Sequence, residues 1–479
     1  MRRTLRLFLT LTLLAIAGRV CAYTIPYEAW MGTYVAGKKI GCLCYKIDKS
    51  DLNDSSVYMI TSVMNNRMTV LGAELSQAIS TTVYTDAKYY PLKETFSMSS
   101  GGKTTTVVAI FKPDRIECEM SGSTGSSKQT VPIPKGITLV GDAMFTSPDI
   151  KMEIGKEYSQ YYFNPLTLSI DSLKIKAEGR EKIKLDGKEY DAMIVTNSTA
   201  MGDMKVWQTD DGDVLKITAM MGITMVREDK DKAMAGIEPG KSDDFAVLTS
   251  LKPDRRIEEP RSVKSLDIVL KGISDRSMVI SDARQKAEFV KGESDSVRFR
   301  VKASNFKAAK STGLPVDPKK FAGDLASTPY INCSVQEVKD QAKKIVGGEK
   351  NAYKACCKLR DWIHANMKPR ADIGITRSAS DVLQSMVGVC RDYGILFAGL
   401  ARAAGIPTRI AAGVLYVNGA FYYHVWVECF VGEWVPFDAT LSTDFVDATH
   451  IKMAGGDAPS MFGLSKVIGN LKAEIKSYK

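Results

Sequence analysis

Through residues 23–251, apolar and polar positions alternate with a period of two, the pattern of half-buried β-strands. TYVAGKKIGCLCYKI reads as two short strands around a turn at Gly37-Lys38-Lys39. SVYMITSVMN, ISTTVYTD, TTTVVAIF and RIECEM continue at hairpin spacing, rich in β-branched and aromatic residues. EGREKIKLDGKEYDAMIVTN predicts a hairpin turning at Asp186-Gly187, and KVWQTDDGDVLKITAMMGITMV another turning at Asp210-Asp211-Gly212-Asp213. The expectation is a β-rich domain, an antiparallel sheet or half-barrel. With no cluster of reactive side chains in it, it reads as a scaffold or binding module.

Residues 252–330 are transitional. KPDRRIEEPRSV is charged and linker-like, LDIVLKGI and SVRFRVKA read as strands, and SNFKAAKSTGLPVDPKKFAGD is loop-rich. From Ser334 the period becomes helical. Ser334 and Glu337 form a capping-box pattern before VQEVKDQAKKIV, which Gly347 stops. In EKNAYKACCKLRDWIHANMK, Tyr353, Cys356, Cys357, Trp362, Ile363 and Met367 fall near one face. Ser380 opens a short helix, and another runs from Cys390 to about Ala404 with Tyr393, Leu396, Phe397 and Leu400 at helical spacing. Strands follow: TRIAAGVLYV, a turn at Asn418-Gly419, AFYYHVWVECFV, a turn at Gly432-Glu433, then EWVPFDAT. Residues 331–479 therefore predict an α+β domain of helices packed on an antiparallel sheet.

The N-terminus changes this picture by adding a compartment. Arg2, Arg3 and Arg6 precede a short apolar run, Leu7 to Ala17, and Val20-Cys21-Ala22 offers a cleavage point. Residues 1–22 are read as a signal peptide, because the run has roughly 11 residues where a spanning helix needs about 20. The expected location is periplasmic or secreted, with no transmembrane segment in the mature chain. Removal of those residues takes Arg2, Arg3, Arg6 and Arg19 with it, and the formal charge falls from +10 to +6. The cations form no stripe interleaved with aromatics, so no nucleic-acid partner is expected. Eight cysteines remain, Cys42, Cys44, Cys118, Cys333, Cys356, Cys357, Cys390 and Cys429, with no readable disulfide framework. Three histidines and no CxxC pair give no metal site and no cofactor.

Candidate chemistry centres on Cys390. A helix N-terminus stabilises a thiolate through its unpaired N–H groups and dipole. An imidazole must then form the ion pair and later protonate a leaving amine. His424 lies in the strand YYHVWVE, and a hairpin turning near Gly432 brings Asp438 beside it as the carboxylate that holds the imidazole tautomer. Asp444 and Asp447 offer a substitute if that register shifts. His364 and His450 have no motif support and read as surface or structural. Asp392, in the first helical turn, complements the helix N-terminus. Trp426 reads as packing or as a cover over His424. Gln384 and Tyr353 are candidates for a second oxyanion donor beside the Cys390 N–H.

GVCRDYGILFAGLARAAGIPTRIAAGV followed by YYHVWVECFVGEWVPFDAT resembles the transglutaminase-like superfamily, whose core is a papain-related Cys–His–Asp fold. The resemblance covers about residues 335–460. It implies Cys390 as nucleophile, His424 as general base and acid, and Asp438 as orienting carboxylate. It also implies an enzyme working through a Cys390 thioester on peptide or amide bonds of a protein, peptide or cell-envelope substrate. Resolution by water, a protease or amidase, is favoured over resolution by an amine, a cross-linking acyltransferase. A non-catalytic binding or assembly protein that retains the fold is the alternative.

Overall fold

A computed structural model of the chain describes residues 25–141, 150, 152–219, 222–237 and 243–479. The expected signal peptide, residues 1–22, lies outside them.

Among the described residues fifteen strands form one sheet. The chain zigzags outward from Tyr27–Val35 to Gly125–Pro132, then returns from Leu139–Val140 to Ile223–Glu228. The last of these strands pairs antiparallel with the first, Trp30 opposite Glu228 and Val35 opposite Ile223. Strand Lys103–Phe111 carries the alternation physically: Thr105, Val107, Ala109 and Phe111 are buried, and the residues between them less so. Asp186 and Gly187 turn with φ of 47° and 82°, and Asn418 and Gly419 with 48° and 94°, the positive pair that a two-residue type I′ hairpin requires.

The last third is α+β. Helices Gln336–Val346, Ala352–Asn366, Ala379–Ser385 and Cys390–Ala403 pack on a sheet ordered Trp434–Phe437, Ala420–Phe430, Thr408–Val417, Ile451–Gly456. Helix Cys390–Ala403 is buried along nearly its whole length. Val107 and Ile116 of the large sheet belong to the same continuous core as Leu396 and Ile410. Strands Gln285–Phe289, Ser296–Lys302 and Ser265–Lys271 form a further sheet with Lys472–Tyr478, so the segment before the helices shares a sheet with the end of the chain.

Two caps differ from the expectation. Helix Gln336–Val346 has Val335 at its N-cap with no side-chain cap, because the Ser334 hydroxyl meets that of Ser327 at 2.9 Å. Helix Ala379–Ser385 is capped by Ser378, whose side chain accepts the Asp381 N–H; Ser380 instead donates its N–H to Asn332 Oδ1. No helix among the described residues is long and apolar enough to cross a membrane.

Gly413 sits opposite His424 on one side and near Ile451 and Lys452 on the other. A Cβ there would collide with the Ile451 carbonyl oxygen, a backbone atom that cannot yield as a side chain can. Gly413→Ala is expected to cost about 3 kcal/mol, the upper range for overpacking a core. Urea denaturation checks this, with a lower midpoint and an unchanged slope.

Candidate active site

Cys390 is the first residue of its helix, where the backbone N–H has no intrahelical acceptor. A buried ion pair fixes that helix start. Asp392, fully buried, accepts the Val389 N–H at 3.0 Å and pairs with Arg377 at 3.0 Å. Arg377, also buried, donates further to Ser385 Oγ at 2.7 Å and to the Val387 carbonyl at 2.6 Å. Asp392 thus complements the helix N-terminus as expected, and holds a cation besides.

His424 and Asp438 come together. His424 Nε2 is 2.8 Å from Asp438 Oδ2, and both residues are buried. Continuing the register of Val427 opposite Phe437 would set Thr440, not Asp438, across from His424. The chain leaves the strand after Phe437, and the Asp438 side chain reaches the ring diagonally. Thr440 lies behind it: its N–H and Oγ1 donate to Asp438 Oδ1 at 2.8 and 2.6 Å. With Nε2 committed to Asp438, His424 has Nδ1 for its hydrogen bond with the Cys390 thiol.

The electrostatics follow from these contacts. Burial pushes the Cys390 thiol up, but the hydrogen bond and charge of His424, the Val425 N–H and Arg391 outweigh it, and the thiol lies below its ordinary value. Burial pushes the His424 imidazole down; the Asp438 charge, then its hydrogen bond, then Cys390 raise it to about 10. Burial likewise raises the Asp438 carboxyl, and the charge and hydrogen bond of His424, with the hydrogen bond of His450, hold it well below the usual range. The contrast with other thiols is sharp. Burial leaves Cys42, Cys44, Cys118, Cys333, Cys356 and Cys357 above their ordinary value. Cys390 is moreover half-buried, open enough to be reached.

Gln384 is exposed on its short helix. Tyr353 packs its ring against Phe306 at 5.1 Å and Phe437 at 5.5 Å, and its hydroxyl meets the Cys357 thiol. Besides His424, one backbone donor meets the thiol, the N–H of Val425, the residue after His424.

Four residues of the site escaped sequence reasoning in role: Thr440, His450, Asp447 and Arg261. His450 is fully buried, with Nε2 3.2 Å from Asp438 Oδ2 and Nδ1 3.5 Å from Asp447 Oδ2. Asp447, also fully buried, pairs with Arg261 at 3.0 Å and accepts the N–H and Oγ1 of Thr449 at 2.8 and 2.6 Å. Asp447 is therefore no substitute for Asp438, but the partner of a second histidine. Asp444 is exposed and pairs with Arg360 at 3.0 Å. His364 meets the Ala439 carbonyl at 3.1 Å. Trp426 is buried, its ring 6.1 Å from His424 and edge-on to His450 at 5.4 Å. One signal was present in the sequence. Asp-Ala-Thr occurs twice, at 438–440 and 447–449, and each copy folds into the same turn, its threonine capping its aspartate. The nitrogens of His424 and His450 and an oxygen of Asp438 lie within 4.8 Å of one another. Each is already spent on a hydrogen bond within the group, which makes it a hydrogen-bonded relay.

Residues 339–439 match the Transglutaminase-like superfamily, a span that contains Cys390, His424 and Asp438. Among solved structures the chain is similar to a candidate cysteine protease from Cytophaga hutchinsonii, at 18% identity and a TM-score of 0.31, covering 46% of this chain and 89% of that one. It is also similar to a candidate protease from Parabacteroides distasonis ATCC 8503, at 14% identity and a TM-score of 0.22, covering 77% of this chain and 67% of that one. No curated protein matches the chain.

Proposed function

We propose that this chain, which carries a transglutaminase-like domain over residues 339–439, is an exported cysteine-dependent enzyme that hydrolyses peptide or amide bonds. The observation that carries the reading is the geometry at Cys390: it opens a helix and is hydrogen-bonded to His424, whose Nε2 is 2.8 Å from Asp438 Oδ2, contacts that lower the thiol against its own burial. A lone buried cysteine in a core has no reason to be so poised.

The reaction follows from the contacts. The Cys390 thiolate attacks the carbonyl carbon, and the oxyanion forms beside the Cys390 N–H at the helix start. His424, holding its proton on Nδ1, gives it to the departing amine, and Asp438 keeps Nε2–H in place through the exchange. A thioester remains. Neutral His424 then takes a proton from water as it attacks, and the acid product leaves with the thiolate restored. The substrate is a protein, peptide or cell-envelope amide.

The test is chemical. Alkylation of Cys390 by iodoacetamide is expected to titrate below the ordinary thiol range and to abolish turnover of a peptide panel in step with modification. Product analysis with and without methylamine separates acid from amide product, and so hydrolysis from amine transfer. Turnover that persists after complete alkylation of Cys390, or a Cys390 that titrates near 9, would sink the proposal. At high pH turnover is expected to fall near 10, as His424 loses the proton it must donate.

A further inference from the structure

We propose that His450 is a positioning residue for Asp438, set in place by the second Asp-Ala-Thr turn and by Arg261 and Arg284 from the segment before the helices. This rests on the reading of Cys390, His424 and Asp438 as the reacting set.

Asp438 accepts four donors. His424 and His450 share Oδ2 at 2.8 and 3.2 Å, and Thr440 supplies both donors to Oδ1. A neutral imidazole has one N–H to give. His450 Nε2 makes the shorter contact, 3.2 Å to Asp438, while Nδ1 faces Asp447 at the longer 3.5 Å. Of the two, the shorter contact assigns the neutral ring's N–H to Nε2, with its proton spent on Asp438. Rotation of the carboxylate about its last bond is blocked from both ends, and Oδ2 stays aimed at His424.

The support behind His450 is as developed as the site itself. Arg284 donates to the Asp447 carbonyl at 3.2 Å and to the His450 carbonyl at 2.6 Å. Arg261 pairs with Asp447, reaches Thr449 Oγ1 at 3.2 Å, and also donates to the Tyr416 carbonyl. Trp426 lies edge-on to the His450 ring. Burying a histidine and an aspartate, with only a part-exposed arginine to pair them, costs stability that a hydrophobic set of the same volume would not. What this cluster delivers in return is one oriented N–H on the back of the Asp438 carboxylate.

Two amides separate that role from packing. In His450→Gln the amide nitrogen falls where Nε2 was and reaches Asp438. In His450→Asn it falls where Nδ1 was and faces Asp447 only. With active sites counted by Cys390 alkylation, His450→Asn is expected to lose 10- to 100-fold in kcat, the usual range for an outer partner of a site. KM should stay within about twofold, and His450→Gln should restore most of kcat. Wild-type kcat in His450→Asn, or equal losses in both variants, overturns the proposal. Should neither variant fold, the wild-type imidazole nitrogen spectrum decides, and with three histidines in the chain it is readily assigned. His450 as the Nε2–H tautomer sustains the inference, and as Nδ1–H overturns it. A wild type without Cys390-dependent turnover defeats the reading of the reacting set instead, and leaves the tautomer result standing by itself.

Discussion

Asp438→Asn is expected to lower kcat roughly 10^3- to 10^4-fold in a protein that still folds, the scale seen when a triad carboxylate becomes an amide. The wild-type carboxylate receives four donors and offers none. An asparagine has a single acceptor oxygen and an NH2 that must face one pair of those donors. If the oxygen stays with Thr440, the NH2 points at His424 Nε2 and forces the neutral ring into its Nδ1–H tautomer. The imidazole then has no lone pair facing the thiol and cannot take its proton. If the oxygen turns to the histidines, both Thr440 donors face an NH2. The loss of charge acts separately. Burial pushes His424 down, and the Asp438 charge is the largest influence raising it to about 10. Without that charge the imidazolium deprotonates at lower pH, and the Cys390 thiol rises toward its ordinary value. The alkylation profile of Cys390 should therefore move to higher pH while the alkaline limb of turnover moves down. An alkylation profile matching the wild type's would show that Asp438 does not govern the pair.

Stability has a matching pH signature. The Asp438 carboxyl titrates well below its unfolded value of 3.8, so its contribution is fully present above that value. It is lost as pH falls through the folded value. Asp438→Asn lacks this component, and its stability should decline less between pH 4 and lower values than the wild type's does.

How much of this was legible depended on how local each cause is. Asp186-Gly187 and Asn418-Gly419 could be read because a type I′ turn is specified by two residues. Helix Cys390–Ala403 could be read because Tyr393, Leu396, Phe397 and Leu400 set its apolar spacing within one stretch. Cys390, His424 and Asp438 were found together because each sits at a recognisable place on such an element. Ser334 failed as a cap because Ser327, seven residues earlier, takes its hydroxyl in a loop with no periodicity to read. The pairing of the first strand with the last, Trp30 with Glu228, has no local mark at all. His450 is the clearest case. Its Asp447 partner is three residues away, but Arg284 is 166 residues away and Asp438 meets it from another turn. The repeated Asp-Ala-Thr is the one local trace, and it gains meaning only when a histidine is found against each copy.

Arg377→Met is expected to destabilise the fold by about 3–5 kcal/mol, the cost of leaving one member of a buried ion pair uncompensated. Methionine keeps much of the volume but none of the donors. Asp392 would retain the Val389 N–H at 3.0 Å and lose its near cation, keeping only Arg391 at 3.8 Å, while Ser385 and the Val387 carbonyl lose their partners. Relaxation is not available to the carboxylate. Gly388 lies so close that a Cβ on it would meet Asp392 Oδ2 at 2.5 Å, and Asp392 itself is fully buried. The double variant Arg377→Met, Asp392→Leu removes both charges and should recover most of the loss, because two apolar groups in a core need no partner. Stability and reactivity then part company. Asp392 ties the Val389 N–H to the first turn of the helix that begins at Cys390, so the double variant regains folding without regaining the fixed helix start. Denaturation should show the recovery, and iodoacetamide kinetics should show Cys390 still titrating above its wild-type value. If the single variant unfolds at the wild-type midpoint, the pair does not hold the helix start; if the double variant recovers a wild-type alkylation profile as well, the thiolate owes nothing to Asp392.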